Sequence, residues 1–413
     1  MSARAPDLTG AILLRAGLRS AGAHAIDGAA ARYVSSPDPR LRAAVLLALA
    51  STHFWHGAHD DVDDRLLEAL ACAQDCGDVP LQAEVLGMAA CADSYRVRPR
   101  QAGDAELRAH CLLRGHPGLR MPPALRLAAA IGSVMRADLA GAERALRAAG
   151  PADPGLAVWR SAVHALSGRP GEARALLDSS ADGPWPGLLL VQRDVLRAEI
   201  EIGRGRPHTA LEILGRHRGG TLSAPADVSR ARARLALDDL SGARQCVHGV
   251  LSGTRPHLSR YVLVEAMLLE AVIAARTRNH ARAAELITNA LDVAGEDLVL
   301  PFARARQPLG GLLARHPAVA RRWPAGASPA AAPVTPGNPA PAAARSRALP
   351  LRLTPREQSI LAYLTTSMTA GEIAGELYLS VNTVKTHLAA IYRKLGAGGR
   401  RAAVRRAREL ELL

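Results

Sequence analysis

The sequence predicts an all-α fold in two folded parts, and three observations carry that expectation. Ala, Leu and Arg dominate the chain, while aromatic residues make up only 3% of it, with two Phe in 413 residues. Strands favour aromatic and β-branched side chains, whereas Ala, Leu and Arg are strong helix formers. A weak pattern with an in-register alanine recurs five times before residue 290. A Pro- and Ala-rich stretch at 323–348 then separates these repeats from a short basic segment that carries clear helix starts. The length suits two or three domains of roughly 150 residues each.

From the beginning of the chain, MSARAPDLTGAILLRAGLRS sets charges around an apolar run of only four residues, AILL. It lacks the long apolar core of a signal peptide. The five cysteines (Cys72, Cys76, Cys91, Cys111, Cys246) are odd in number and scattered, without a CxxC pair. They read as reduced thiols of a cytoplasmic protein. The stretch THFWHGAHDDVDDRLLEALACAQ (52–74) has a helix, loop, helix pattern. Within it, His53, His56, His59, Asp60, Asp61, Asp63 and Asp64 crowd together. Their spacing fits no standard metal-ligand set, so no metal is expected. A helix ending near Gly57, with the acids at the positive start of the next helix, explains them.

The five repeats are DLAGAERAL (138–146), RPGEARALL (169–177), RPHTALEIL (206–214), DLSGARQCV (239–247) and NHARAAELI (279–287). They align Ala142, Ala173, Ala210, Ala243 and Ala283 at intervals of 31, 37, 33 and 40 residues. A small residue at a fixed place lets a neighbouring helix come close, and the apolar residues three and four positions on bury one face. The intervals lie near the 34-residue period of tetratricopeptide helix pairs. Residues 1–322 are therefore expected to form a tetratricopeptide-like helical-repeat array, a sensing or interaction domain. The bland alternative is an irregular helical array without true repeats. The most apolar stretch, YVLVEAMLLEAVIAA (261–275), is interrupted by Glu265 and Glu270. It is shorter than the roughly 20 residues a bilayer requires, so it reads as a buried helix and no membrane partner is expected.

Residues 323–348 contain six prolines and ten alanines. Proline fixes φ and disfavours helix in the residue before it, so a disordered Pro/Ala linker is expected there. From Arg345 onward, twelve Lys and Arg face five Glu, a net of +7 and half of the formal +14. That concentration suits a segment that meets a polyanion. The chain's only lysines, Lys385 and Lys394, lie in this segment.

Residues 349–413 read as four short helices. Thr354-Pro355-Arg356-Glu357 combines an N-cap Thr, Pro in the first turn and a Glu that closes a capping box. Ile360, Leu361 and Leu364 form the apolar face that follows. Thr369-Ala370-Gly371-Glu372 repeats the capping chemistry, with Ile373, Ala374 and Leu377 inward. Ser380 caps a third helix, about 381–395, in which Val384, Leu388, Ile391 and Leu395 make one buried stripe. Asn382, Thr383, Lys385, Thr386, Ala389 and Arg393 remain outward. Two helices joined by a tight turn, the second exposing polar and basic residues near its start, is a helix-turn-helix built for the major groove of double-stranded DNA.

The segments LTPREQSILAYL, EIAGELYLSVNTVKTHLAAIYRKLG and RRAAV resemble the LuxR-type DNA-binding domain, also called GerE- or NarL-type, over about residues 351–408. The helical repeats ending in VLPFARARQPLGGLLARHP resemble the C-terminal half of large MalT-like, ATP-binding LuxR regulators. The resemblance implies a DNA-binding transcription regulator. It places Lys385, Thr386 and Ala389 against base edges, and Asn382, Thr383, Arg393 and Lys394 against backbone phosphates. Ala389 departs from the more polar residues usual there and offers only a methyl, for instance to thymine. Ala390 and Gly399 replace a common Asn and a usual Ser or Asn cap. The last helix, with Ala403, Val404, Ala407 and Leu410 on one face, corresponds to the helix through which such domains pair, which implies a homodimer on DNA. The alternative is that this face packs only within its own domain. The resemblance also brings in RNA polymerase as a partner, and a protein or small-molecule effector on the repeats.

Several chemistries are excluded. A Walker A loop needs a lysine after its glycine, and no Gly-Lys pair occurs in the 413 residues. There is no H-E-x-x-H or G-x-S-x-G, and Gly203-Arg204-Gly205 is only a fragment of G-x-G-x-x-G. Neither an enzymatic activity nor a cofactor is expected. Two other readings stay open: an interaction scaffold that DNA merely tethers, and a shortened ATPase regulator completed by a partner chain.

Overall fold

The computed structural model describes residue 34 and residues 36–326, apart from 148–153, 180–185, 218, 220–221 and 258. It also describes 360–361, 363–364, 368–376, 384, 387–388, 391, 397 and 400–409. The chain divides into two compact units, Met1–Gly337 and Asn338–Leu413.

The described part of the first unit is helical, built from consecutive helix hairpins. These are α1 (Pro39–His56) with α2 (Val62–Asp75), α3 (Val79–Arg96) with α4 (Pro99–Gly115), and α5 (Pro123–Met135) with α6 (Leu139–Arg147). Next come α7 (Pro154–Leu166) with α8 (Pro170–Ser179), and α9 (Gly187–Gly203) with α10 (Pro207–Leu214). Last are α11 (Ala224–Ala236) with α12 (Leu240–Leu251), and α13 (Arg260–Arg276) with α14 (His280–Ala294). Helices α15 (Leu300–Arg315) and α16 (Pro317–Arg322) close the array.

One turn recurs in six of these hairpins. Val97, Ala137, Gly168, Gly205, Asp238 and Arg278 all have φ between 59° and 77°, the left-handed conformation. The next residue's N–H returns to the carbonyl five residues back, from Arg98 to Asp93, Asp138 to Ser133, Arg169 to His164, Arg206 to Glu201, Asp239 to Arg234 and Asn279 to Ala274, at 2.8–2.9 Å. This is the Schellman end of a helix, which satisfies carbonyls the helix leaves open.

The second helix then starts in one of two ways. Asp138, Asp239 and Asn279 accept the backbone N–H of Gly141, Gly242 and Arg282 at 2.8, 2.8 and 3.1 Å. Elsewhere Pro99, Pro170 and Pro207 open the helix, where a missing N–H costs nothing. Five residues past each left-handed position stands an alanine. Ala142, Ala173, Ala210, Ala243 and Ala283 are fully buried, as the repeat requires, and Ala102 at 5% exposure adds a sixth that the sequence pattern missed.

The two helices of a hairpin are buried differently. The second helices bury one stripe, as in α14 with Ala283, Leu286, Ile287, Ala290, Leu291 and Ala294. The first helices are buried nearly all round. In α13, which holds the apolar stretch 261–275, Val262, Val264, Leu268, Leu269, Val272 and Ile273 are all buried, and so is Glu265. The array curls on itself. The Arg260 guanidinium donates through Nε to the Val97 carbonyl at 3.0 Å, although 163 residues separate them, and Val299 N–H donates to the Met135 carbonyl at 2.8 Å. Helix α1 also meets α9.

The core of this unit runs one residue past the expected boundary at 322. Trp323 is buried, its ring 5.2 Å edge-on from Phe302, so the first residue of the expected linker anchors the end of the array. Of the rest of the expected linker, 324–326 are described and 327–348 lie outside the described residues.

The recurring turn separates backbone strain from packing. A Cβ added at Gly205 meets nothing within 4 Å, so Gly205→Ala should lower stability through left-handed strain alone, by about 1–2 kcal/mol. Ala137→Gly should act oppositely, by roughly 0.5–1 kcal/mol. Urea unfolding of both variants at unchanged slope checks the pair of signs.

Candidate nucleic-acid interface

In the second unit the described helices are α17 (Ala370–Glu376) and α18 (Arg400–Glu409). Ahead of α17 the expected capping box is formed. The Thr369 backbone N–H and hydroxyl donate to the Glu372 carboxylate at 2.6 and 2.9 Å, and the Glu372 N–H returns to the Thr369 hydroxyl at 3.3 Å. Those bonds, the backbone one foremost, hold the Glu372 carboxyl below its ordinary pKa. The corresponding residues 354–357 lie outside the described residues.

A small core gathers Ile360, Leu361, Leu364, Ile373, Ala374, Val384, Ile391, Ala403 and Ala407, with Leu388 and Val404 packed partly against it. The inward stripe of the 381–395 segment is therefore present at Val384, Leu388 and Ile391. Leu377 and Leu395 lie outside the described residues, and so do all seven residues expected at DNA: Asn382, Thr383, Lys385, Thr386, Ala389, Arg393 and Lys394.

Three of the four residues expected to pair two copies are described. Ala403 and Ala407 are 0% exposed inside this unit's own core, and Val404 is half-buried on it. A second copy could reach those two methyl groups only by opening the domain. Leu410 lies outside the described residues, whereas Arg406 and Arg408 on the same helix are exposed.

Arg400, which is not among the expected site residues, pins α18. Its guanidinium donates to the carbonyls of Leu364 at 3.1 Å and Tyr363 at 3.2 Å, and also to that of Met368. A planar guanidinium with five N–H donors suits three carbonyls held in fixed places. Nothing local in the sequence signals a bond that spans more than thirty residues.

Residues 351–407 match the family model described as bacterial regulatory proteins, luxR family. This segment is a LuxR-family helix-turn-helix domain. The match covers the C-terminal unit and not the helical array. Its boundaries agree with the described core: Ile360 near its start and Ala407 at its end belong to one apolar cluster. A LuxR-family helix-turn-helix domain implies DNA binding and transcription regulation.

The histidine- and aspartate-rich stretch of the first unit disperses its side chains. Gly57, at φ 88°, ends α1, and Asp63 and Asp64 occupy the first turn of α2, as expected. His53 Nδ1 lies 3.0 Å from the Arg65 guanidinium, His56 Nδ1 lies 3.0 Å from the Thr52 carbonyl, and Asp63 is paired with Arg96 and Arg98. His59 instead sits edge-on to Phe54 at 5.3 Å. Among the described residues, no group of three such side chains could hold a metal ion.

Burial, and then the charge of Arg96, push His59 down from 6.5 to about 4. Above pH 6.5 the ring is neutral in both folded and unfolded chains, so it leaves stability unaffected. As pH falls toward 4 the unfolded chain takes up a proton that the folded chain does not, and stability is lost. His59→Phe should flatten that loss between pH 6.5 and 4, read as the difference in urea midpoint between variant and parent. In the LuxR-family domain, Arg400→Lys should cost about 1–2 kcal/mol by leaving carbonyls unmatched. Thermal unfolding followed in the full chain, with the array's transition as internal reference, checks this.

Proposed function

We propose that the protein is a sequence-specific transcription regulator whose helix at about 381–395 enters the major groove of double-stranded DNA. The observation that carries the reading is the inward stripe of Val384, Leu388 and Ile391 within the LuxR-family domain. With those three residues committed to the core, the polar and basic residues between them are the ones left for DNA. Lys385, Thr386 and Ala389 then read base edges, while Asn382, Thr383, Arg393 and Lys394 take phosphates. In this reading the regulator binds a two-fold operator as a homodimer, through a surface other than Ala403 and Ala407. It acts in the cytoplasm by binding and not by catalysis. In support, no described helix is long and apolar enough to cross a membrane, and no Gly-Lys pair exists for a Walker loop. The array serves as the sensing or assembly part, and RNA polymerase is the natural downstream partner.

Operators selected from random duplexes by the full chain provide the test. Affinity for a selected operator should fall steeply with salt, because each neutralised phosphate releases counterions. Lys385→Ala should weaken operator binding about tenfold or more and leave non-specific binding nearly unchanged. An equal loss on both would make Lys385 a phosphate contact, and no duplex binding even at low salt would overturn the reading.

A further inference from the structure

The curled array encloses a cavity of about 400 Å³, walled chiefly by the first helices of its hairpins. Tyr95 comes from α3, Met135 from α5, Trp159 from α7, Gln192 from α9, Arg232 from α11 and Tyr261 from α13. Most of the wall is apolar, and the volume falls in the range of small-molecule sites.

The polar part of the wall is a closed set of charges. The Glu199 carboxylate accepts from Ser229 at 2.7 Å, from Arg304 at 3.2 Å and from Arg232. Glu265 accepts from Tyr261 at 2.7 Å and from Arg304 at 3.5 Å, and is also paired with Arg232. Burial alone would raise the pKa of Glu199, but Arg232 and Arg304 bring it below its ordinary value, so it stays ionised. Two guanidiniums and two carboxylates thus satisfy each other, and Arg204, the remaining charged residue of the wall, is paired with Glu201 at 3.4 Å.

Other polar groups on the wall are not satisfied within the chain. The Trp159 indole N–H and the Gln192 side-chain oxygen are buried without a partner. The Gln192 amide reaches the Tyr95 hydroxyl, which burial keeps protonated. Buried polar groups left unpaired are costly and rare. A cavity of this size also forfeits packing that larger side chains could supply. Small residues hold it open, since Ala162 and Ala165 of α7 face it where a larger apolar residue could fill it.

We propose that this cavity is a binding site for a neutral, predominantly apolar small molecule. The apolar wall, with Val158, Val195, Leu196, Val228 and Val262 among its residues, takes the body of that molecule. A charged molecule is disfavoured because Arg232, Arg304, Glu199 and Glu265 already neutralise one another, and separating them to meet it would leave buried charges unpaired. The site deepens the sensing role given to the array but does not rest on DNA binding. Its test is run without DNA, so either reading can fail alone.

The full chain is titrated with prodan, a neutral naphthalene bearing one carbonyl whose emission reports polarity and hydrogen bonding. Anilinonaphthalene sulfonate, an anionic counterpart, is titrated in parallel. Prodan should bind saturably at one site per chain, at least about tenfold more tightly than the sulfonate. Ala162→Trp, which fills the space, should abolish binding while the far-ultraviolet circular dichroism stays unchanged. If that variant does not fold, Val195→Phe on the opposite wall replaces it. Absence of saturable prodan binding, sulfonate binding as tightly as prodan, or binding that survives a folded cavity-filling variant would each overturn the proposal.

Discussion

The array depends on how closely the two helices of a hairpin can approach just after their turn. At Ala142, Ala173, Ala210, Ala243 and Ala283 no side-chain surface remains exposed, so the Cβ itself is the contact. A larger residue there would push the second helix away from the first and misalign the next hairpin, because interiors are close-packed and transmit such strain. The left-handed residue five positions earlier fixes the direction in which the second helix leaves. Four of the six described turns use a residue other than glycine, Val97, Ala137, Asp238 and Arg278, although that conformation disfavours side chains. Their presence indicates that packing around the alanine outweighs the backbone strain.

This geometry explains which parts of the fold were legible. The second helices could be read because each buries a single stripe, begins with Asp, Asn or Pro, and carries its alanine at a constant distance from the turn. The first helices could not, because burial on several sides erases periodicity: in α13 the sequence discloses only an apolar run with two glutamates. The hairpin of α3 and α4 escaped because Ala105 and Glu106 stand three and four residues past Ala102, where the other repeats end on Leu, Val or Ile. In the C-terminal unit the capping box at Thr369 and the stripe through Val384 and Ile391 are local patterns and were readable. Arg400 acts across the fold and was not, since its three carbonyl partners stand more than thirty residues away.

The buried glutamates and arginines follow from the same curling. Glu199, Arg232, Glu265 and Arg304 come from four different first helices, so their meeting requires α9, α11, α13 and α15 to share one interior. Apolar residues of similar volume would often stabilise such an interior equally well. What four mutually satisfied charges add is register, since a hairpin displaced along the stack would leave one of them buried and alone. Glu265 is the residue that interrupts the apolar run of α13, so the feature that argued against a membrane span is also the one that ties this helix to its neighbours.

Formal charge is distributed in a way that separates the two units. Residues 1–344 and 345–413 each carry half of the +14, so the excess is far denser in the second segment. Within the array many arginines are engaged by acids or carbonyls, as with Arg96 and Arg98 on Asp63, Arg174 on Glu201 and Arg260 on the Val97 carbonyl. In the LuxR-family domain Arg406 and Arg408 are exposed, while one of its five glutamates, Glu372, is occupied by its capping box. The denser positive charge of the C-terminal segment suits a polyanion, and the ion pairs within the array reduce the field that its own arginines present.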